Sequence, residues 1–149
     1  MGELRPPHSY GNFKDPDWRS KQRAARTARV NQVRGRSEGH LALVRKLPCI
    51  LCGERGNTEA HHLLDTGKHE RGAARRSSDR DVIPLCGPWG NNHHARLHLQ
   101  GSKNERTWLA SFGLDGRLLA SGLWNNTGSL EQMYRVWLTH FEGVDTDAT

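Results

Sequence analysis

Three cysteines and six of the nine histidines of this 149-residue chain fall between residues 49 and 98, a concentration of donors that metal chemistry uses and an apolar core does not need. Cys49 and Cys52 have the spacing at which one tight turn offers two thiolates to a single tetrahedral zinc. Cys86 follows further along, and His93 comes just after the GPWGNN turn. Cys49, Cys52, Cys86 and His93 are therefore expected to form a Cys3His structural zinc site. Such a site would staple a domain too small to rely on its apolar core. Other histidines remain. His61 and His62 are neighbours and on a strand would point to opposite sides, so one is able to hold a metal while the other faces a substrate. His94 and His98 stand one helical turn apart, the spacing for chelating one ion. Glu59, Asp65 and Asp81 flank these positions and are candidates for orienting an imidazole through its second nitrogen.

These side chains need elements to carry them. His40–Lys46 holds Leu41, Leu43 and Val44 and stops before Pro48, which predicts a short helix ahead of the Cys49–Cys52 knuckle. Two strands are predicted, Thr58–Leu64 and Asp81–Leu85, separated by a sixteen-residue Gly- and Ser-containing loop, Asp65–Arg80. After the GPWG turn, Asn91 or Asn92 is expected to cap a helix running through HHARLHLQ to Gly101. Further helices are read at Asn104–Phe112 and Ser129–Phe141, with Asp115-Gly116 as a turn. In the last helix Leu130, Met133, Tyr134, Trp137 and Leu138 make an apolar stripe expected in the core. Trp108, Trp124 and Trp137 are expected in the C-terminal core, and Trp89 is expected to seal the small core beside the zinc turn, with stacking on a base or sugar as the alternative. His8, His40, His69 and His140 show no partner pattern.

Charge narrows the partners. Lys and Arg number 22 against 16 Asp and Glu, for a net charge of +6. The stretch from Lys14 to Arg36 carries eight bases and two acids, so it holds the whole excess. Within it Arg19, Arg23, Arg26 and Arg29 lie in a segment without Gly or Pro, readable as a basic helix or as a solvated arm. Lys68, Arg71, Arg75 and Arg76 in the loop between the strands form a second candidate contact for a phosphate backbone. No apolar run reaches the ~18 residues of a membrane span, three cysteines are too few for a disulfide scaffold, and MGELRPPHSYGNFKDPDW lacks the apolar stretch of a signal peptide. The expectation is a protein of the reducing cytoplasm, of the host if a phage encodes it, with no membrane partner.

The ordered set Cys49-x2-Cys52, Glu59-Ala60-His61-His62, Val82-Ile83-Pro84-Leu85-Cys86 and His93-His94-x3-His98 resembles the HNH endonuclease superfamily, and is most similar to its small phage and prophage branch. The likeness covers about residues 40–101. It implies an α+β fold: a zinc-stabilised ββα-metal core over 38–101, preceded by a basic extension over 1–37 and followed by a helical extension over 102–149 packed on the core. It also implies that His61, His94 and His98 bind a catalytic divalent ion and that His62 is the general base in hydrolysis of DNA phosphodiester bonds. That chemistry suits the residues. Phosphodiester hydrolysis needs a water deprotonated near neutral pH, and an imidazole of pKa ~6.5 is matched to the task. One cation serves the charge on phosphorus and the departing 3′ oxygen. Imidazole ligands are softer than carboxylates, so Zn²⁺, Mn²⁺ or Ni²⁺ is expected to bind at least as well as Mg²⁺. The competing expectation is a non-catalytic zinc-containing nucleic-acid-binding module, which would make no use of His62. Possible assemblies are a homodimer or a larger phage DNA-processing complex.

Overall fold

The computed structural model of the chain describes residues 17–33, 35–64 and 77–148. It is a mixed α+β structure with the order α1 (Trp18–Val33), α2 (Glu38–Val44), β1 (Thr58–His62), β2 (Val82–Cys86), α3 (His93–Ser111), α4 (Gly116–Asn125) and α5 (Leu130–Phe141). The chain divides into two units, residues 1–34 and 35–149. Lys68, Arg71, Arg75, Arg76 and Asp65 lie outside the described residues. No helix among the described residues is long and apolar enough to cross a membrane.

In the first unit, residues 18–33 are helical, and Arg19, Arg23, Arg26 and Arg29 are all exposed. Of the two readings the sequence left open here, the helix is the one observed.

The second unit is built around an antiparallel pair, β1 and β2, in the register Thr58↔Cys86, Ala60↔Pro84, His61↔Ile83 and His62↔Val82. Each strand of a two-stranded sheet is an edge, so Pro84 is tolerated in the middle of β2. Its carbonyl, turned away from the ladder, accepts from the Ile50 N–H at 3.0 Å and ties the knuckle to the sheet. All of β2 is buried, whereas β1 alternates near its end: His61 is buried and His62 is half-buried. One cluster of buried side chains runs from Leu41 and Val44 of α2 through Ile50, Leu51, Ile83 and Leu85 to Leu109, Leu119, Leu123, Met133 and Trp137. The helices after residue 101 thus share a core with the strands.

Two local readings need correction. Asp115-Gly116 is not a free turn: the Asp115 side chain accepts from the N–H groups of Arg117 and Leu118 and caps α4, a helix the sequence reading missed. Leu119, Ala120 and Leu123 give α4 its buried face. The stripe of α5 is only partly core, since Met133 and Trp137 are buried while Leu130 and Leu138 remain 37% and 41% exposed. A helix at the periphery needs one line of contact, and 133 and 137 supply it. Gly101 breaks the helix as expected, with φ 70° and ψ 168°, and a second helical segment follows it to Ser111, so the two expected helices are the two parts of α3.

His40, which the sequence left without a role, is fully buried on α2 and edge-on to Trp124, with ring centroids 5.0 Å apart. Thr127 Oγ1 donates to the Leu123 carbonyl and lies 2.6 Å from His40 Nδ1, so Nδ1 carries the proton. His40 Nε2 is buried without a hydrogen-bond partner among the described residues. Burial lowers the pKa of His40 from its ordinary value, against an opposing pull from Asp79. The unfolded chain then takes up the proton first, so the stability His40 contributes is whole above pH ~6.5 and declines as pH falls below it. The difference in urea midpoint between wild type and His40→Asn should therefore narrow between pH 7.5 and pH 5.5. A constant or widening gap would contradict this account.

Candidate functional site

The knuckle is a turn stabilised by its own backbone: Cys49 N–H donates to the Glu54 carbonyl at 2.8 Å and Gly53 N–H to the Cys49 carbonyl at 2.9 Å. It presents Cys49 and Cys52 to Cys86 at the end of β2 and His93 at the start of α3. Cys52 Sγ and Cys86 Sγ are 3.9 Å apart, and His93 Nδ1 lies 3.6 Å from Cys49 Sγ and 3.2 Å from Cys86 Sγ. All four donor atoms lie within 4.8 Å of one another. Arms of ~2.3 Å to sulfur and ~2.05 Å to nitrogen give a tetrahedron with edges of ~3.8 Å (S–S) and ~3.6 Å (S–N), so this cluster can hold a zinc ion. The electrostatics agree with the geometry. Burial pushes the Cys49 and Cys86 thiols above their ordinary range, so a cation is what would make buried thiolates affordable. Burial and Arg96 hold His93 below its usual value, which leaves the ring neutral, as a ligand must be.

The second cluster is His61, His94 and His98. The Asn92 side chain accepts from the Ala95 N–H and caps α3, so His94 and His98 rise from its first turns on one face. Their Nε2 atoms are 3.1 Å apart, and His61 packs edge-on against both, with centroids 5.1 and 4.9 Å away. Two nitrogens at ~2.1 Å from one ion would be ~3.0 Å apart at a right angle and ~3.4 Å apart at a tetrahedral one, so the pair fits. Two of the three rings are set from behind by a carboxylate. Glu59 pairs with His94 Nδ1, which leaves Nε2 for the cluster. Buried Glu105 lies 3.1 Å from His61 Nε2 and accepts from the Leu64 N–H at 2.7 Å. His61 Nδ1 is then buried without a hydrogen-bond partner among the described residues. An orphaned buried nitrogen costs ~1–3 kcal/mol, and an ion shared with His94 and His98 would remove that cost. Burial first, then His61 and His94, keep the pKa of His98 low, so this ring too is suited to bind as a neutral ligand.

His62 projects from the other side of β1 and is not part of either cluster. Its Nε2 lies 2.9 Å from Asp79 Oδ1, and the side chain is 33% exposed. Thus the structure brings together every cysteine and histidine the sequence singled out, in two donor sets with His62 apart. Of the flanking acids, Glu59 orients a ring. Glu105 and Asp79 were missed. Glu105 lies beyond the break at Gly101, in a different helical segment from His98, so helical spacing carried no signal for it. Asp79, in the loop, had none. Trp89 does not seal the core: it is 89% exposed on the turn between β2 and α3, beside Glu54, which accepts from the Asn91 N–H of that turn. Trp108 and Trp124 are half-buried, and Trp137 is buried.

Residues 23–123 match the family described as proteins of unknown function (DUF968). The chain belongs to this family. The matched span contains both donor clusters, His62 and Asp79. No curated protein and no solved structure matches the chain.

The two clusters should differ in metal retention. Zinc-loaded protein passed over a chelating resin should keep one ion per chain and exchange the other. Cys86→Ala should lose the retained zinc and the cooperative thermal transition, whereas His98→Ala should keep both and lose only the exchangeable ion, as read by elemental analysis and calorimetry. Tight zinc surviving in Cys86→Ala would count against the Cys3His assignment.

Proposed function

We propose that this chain is a metal-dependent DNA endonuclease of the HNH type, in which β1, β2 and the first half of α3 form the ββα-metal core. The observation that carries the reading is the division at the end of β1. His61 turns inward to meet His94 and His98, and its neighbour His62 turns outward with a carboxylate behind it. A zinc-binding module without catalysis would need the Cys3His cluster alone and has no use for the second donor set or for a carboxylate-backed histidine.

In this reading His61, His94 and His98 hold the divalent ion, which when bound supplies charge stabilisation at the phosphoryl oxygens and the departing 3′ oxygen. The remaining work belongs to the chain. With Nε2–H donating to Asp79, the lone pair of His62 is on Nδ1, where it can take a proton from the attacking water. The water oxygen bonds to phosphorus as the bond to the 3′ oxygen breaks, and the proton rests on His62 until solvent removes it. The exposed arginines of α1 supply phosphate contacts that give affinity without sequence information. Trp89 offers an exposed face on which an unpaired base can stack.

The test is nicking and linearisation of supercoiled plasmid by wild type and His62→Ala, each with EDTA, Mg²⁺, Mn²⁺, Zn²⁺ or Ni²⁺, with a gel shift on the same samples. Cleavage should require a divalent ion and fall ~10²- to 10⁴-fold in His62→Ala while DNA binding is retained. Intact binding with no cleavage by wild type of plasmid, single-stranded or branched DNA under any ion would instead support the binding module.

A further inference from the structure

Asp79 is 4% exposed and sits where three separate pieces of chain meet. Its backbone N–H donates to the Gly35 carbonyl at 2.8 Å, which holds the residue against the start of the second unit. Gly35 has φ +61°, and a Cβ there would lie 2.2 Å from Ser78 Oγ, so this approach requires glycine. The two carboxylate oxygens have different partners. Oδ2 accepts from the Ser37 backbone N–H at 2.8 Å, just ahead of α2. Oδ1 faces His62 Nε2 at 2.9 Å, with the Arg36 guanidinium further off at 3.5 Å.

We propose that Asp79 is the positioning residue of His62: it fixes the imidazole as the Nε2–H tautomer and thereby keeps the Nδ1 lone pair on the half-exposed side of the ring. A buried carboxylate has only acceptors, so the nitrogen facing Oδ1 must bear the hydrogen. Nothing else described holds the ring, because His62 Nδ1 makes no hydrogen bond to a described residue. The role in catalysis rests on the nuclease reading, while the tautomer itself does not.

The geometry also dictates an informative substitution. In Asp79→Asn the amide oxygen must stay on the Ser37 side, since that backbone N–H is a donor with no alternative in reach at 2.8 Å. The amide NH₂ is then turned on His62, which can meet it only by accepting at Nε2 and moving its hydrogen to Nδ1. The hydrogen bond from the Ser37 N–H is retained and the base is lost.

Long-range ¹H–¹⁵N spectra of the zinc-loaded full chain at pH ~8, above the ordinary histidine range, read the tautomer directly. Wild-type His62 should be protonated on Nε2, and Asp79→Asn should reverse this. On a labelled oligonucleotide, kcat should fall by up to ~10⁴-fold, the loss a wrong tautomer causes in a comparable Asp–His pair, with KM and DNA affinity unchanged. A wild-type ring protonated on Nδ1, a tautomer unmoved by Asp79→Asn, or a reversed tautomer with kcat intact would each overturn the proposal. Should Asp79→Asn not fold, the wild-type spectrum decides. If the tautomer behaves as expected but wild type cleaves no DNA, the nuclease reading fails and the assignment of Asp79 to the ring stands.

Discussion

Four donor atoms from residues 49, 52, 86 and 93 meet at one point, and the placement of everything else near the site follows from that meeting. The knuckle, the end of β2 and the start of α3 are separate in sequence and meet through these ligands, the Ile50–Pro84 and Asn91–Glu54 hydrogen bonds and a shared core. The sheet has only two strands, too little on its own to hold a helix at a defined angle. A zinc ion in the cluster would fix the first residue of α3 relative to the last residue of β2. His94 is the next residue along the helix and His61 pairs with β2, so the structural cluster sets the distance on which the second donor set depends. Thiols buried this deeply resist ionisation, which couples folding of the unit to the ion.

A second regularity is that His61, His62 and His94 each have one nitrogen committed to a carboxylate. Glu59 takes His94, Glu105 takes His61 and Asp79 takes His62. A histidine has two competent nitrogens, and binding one of them decides what the other does. Glu105 and Asp79 are both nearly inaccessible, and each uses its second oxygen on a backbone N–H, of Leu64 and Ser37 respectively. Those backbone bonds hold the two side chains in place in the interior, where a polar group without partners would be costly.

How far the sequence could reveal this depends on the range of the signal. Metal spacing is local, so Cys49, Cys52, Cys86, His93, His94 and His98 were legible from counting residues. The strands and α5 were legible from β-branched content and a helical stripe. What escaped was set by long-range contact. Asp79 reaches His62 across the loop between the strands, and no periodicity announces such a meeting. Trp89 looked like a core residue by type, yet it is exposed on its turn beside Glu54. The Asp115-Gly116 pair reads equally well as a turn or as a cap, and only the buried face of Leu119 and Leu123 against the common core decides for the cap.

The adjacency of His61 and His62 makes strand register the quantity that the site can least afford to lose. Successive residues on a strand face opposite sides, so a slip by one residue would turn His62 toward α3 and send His61 toward Asp79. The two rings are chemically identical, and an edge-on two-stranded ladder with a proline in it has few hydrogen bonds with which to resist such a slip. Resistance is concentrated at the two ends of the ladder. Cys86 is held opposite Thr58 at one end of the ladder by its place in the Cys3His cluster, and Leu63 N–H is held by the Asp81 carbonyl at the other. In the proposed nuclease, then, the ion that takes no part in hydrolysis decides which of two adjacent histidines binds the metal and which one is left to act as a base.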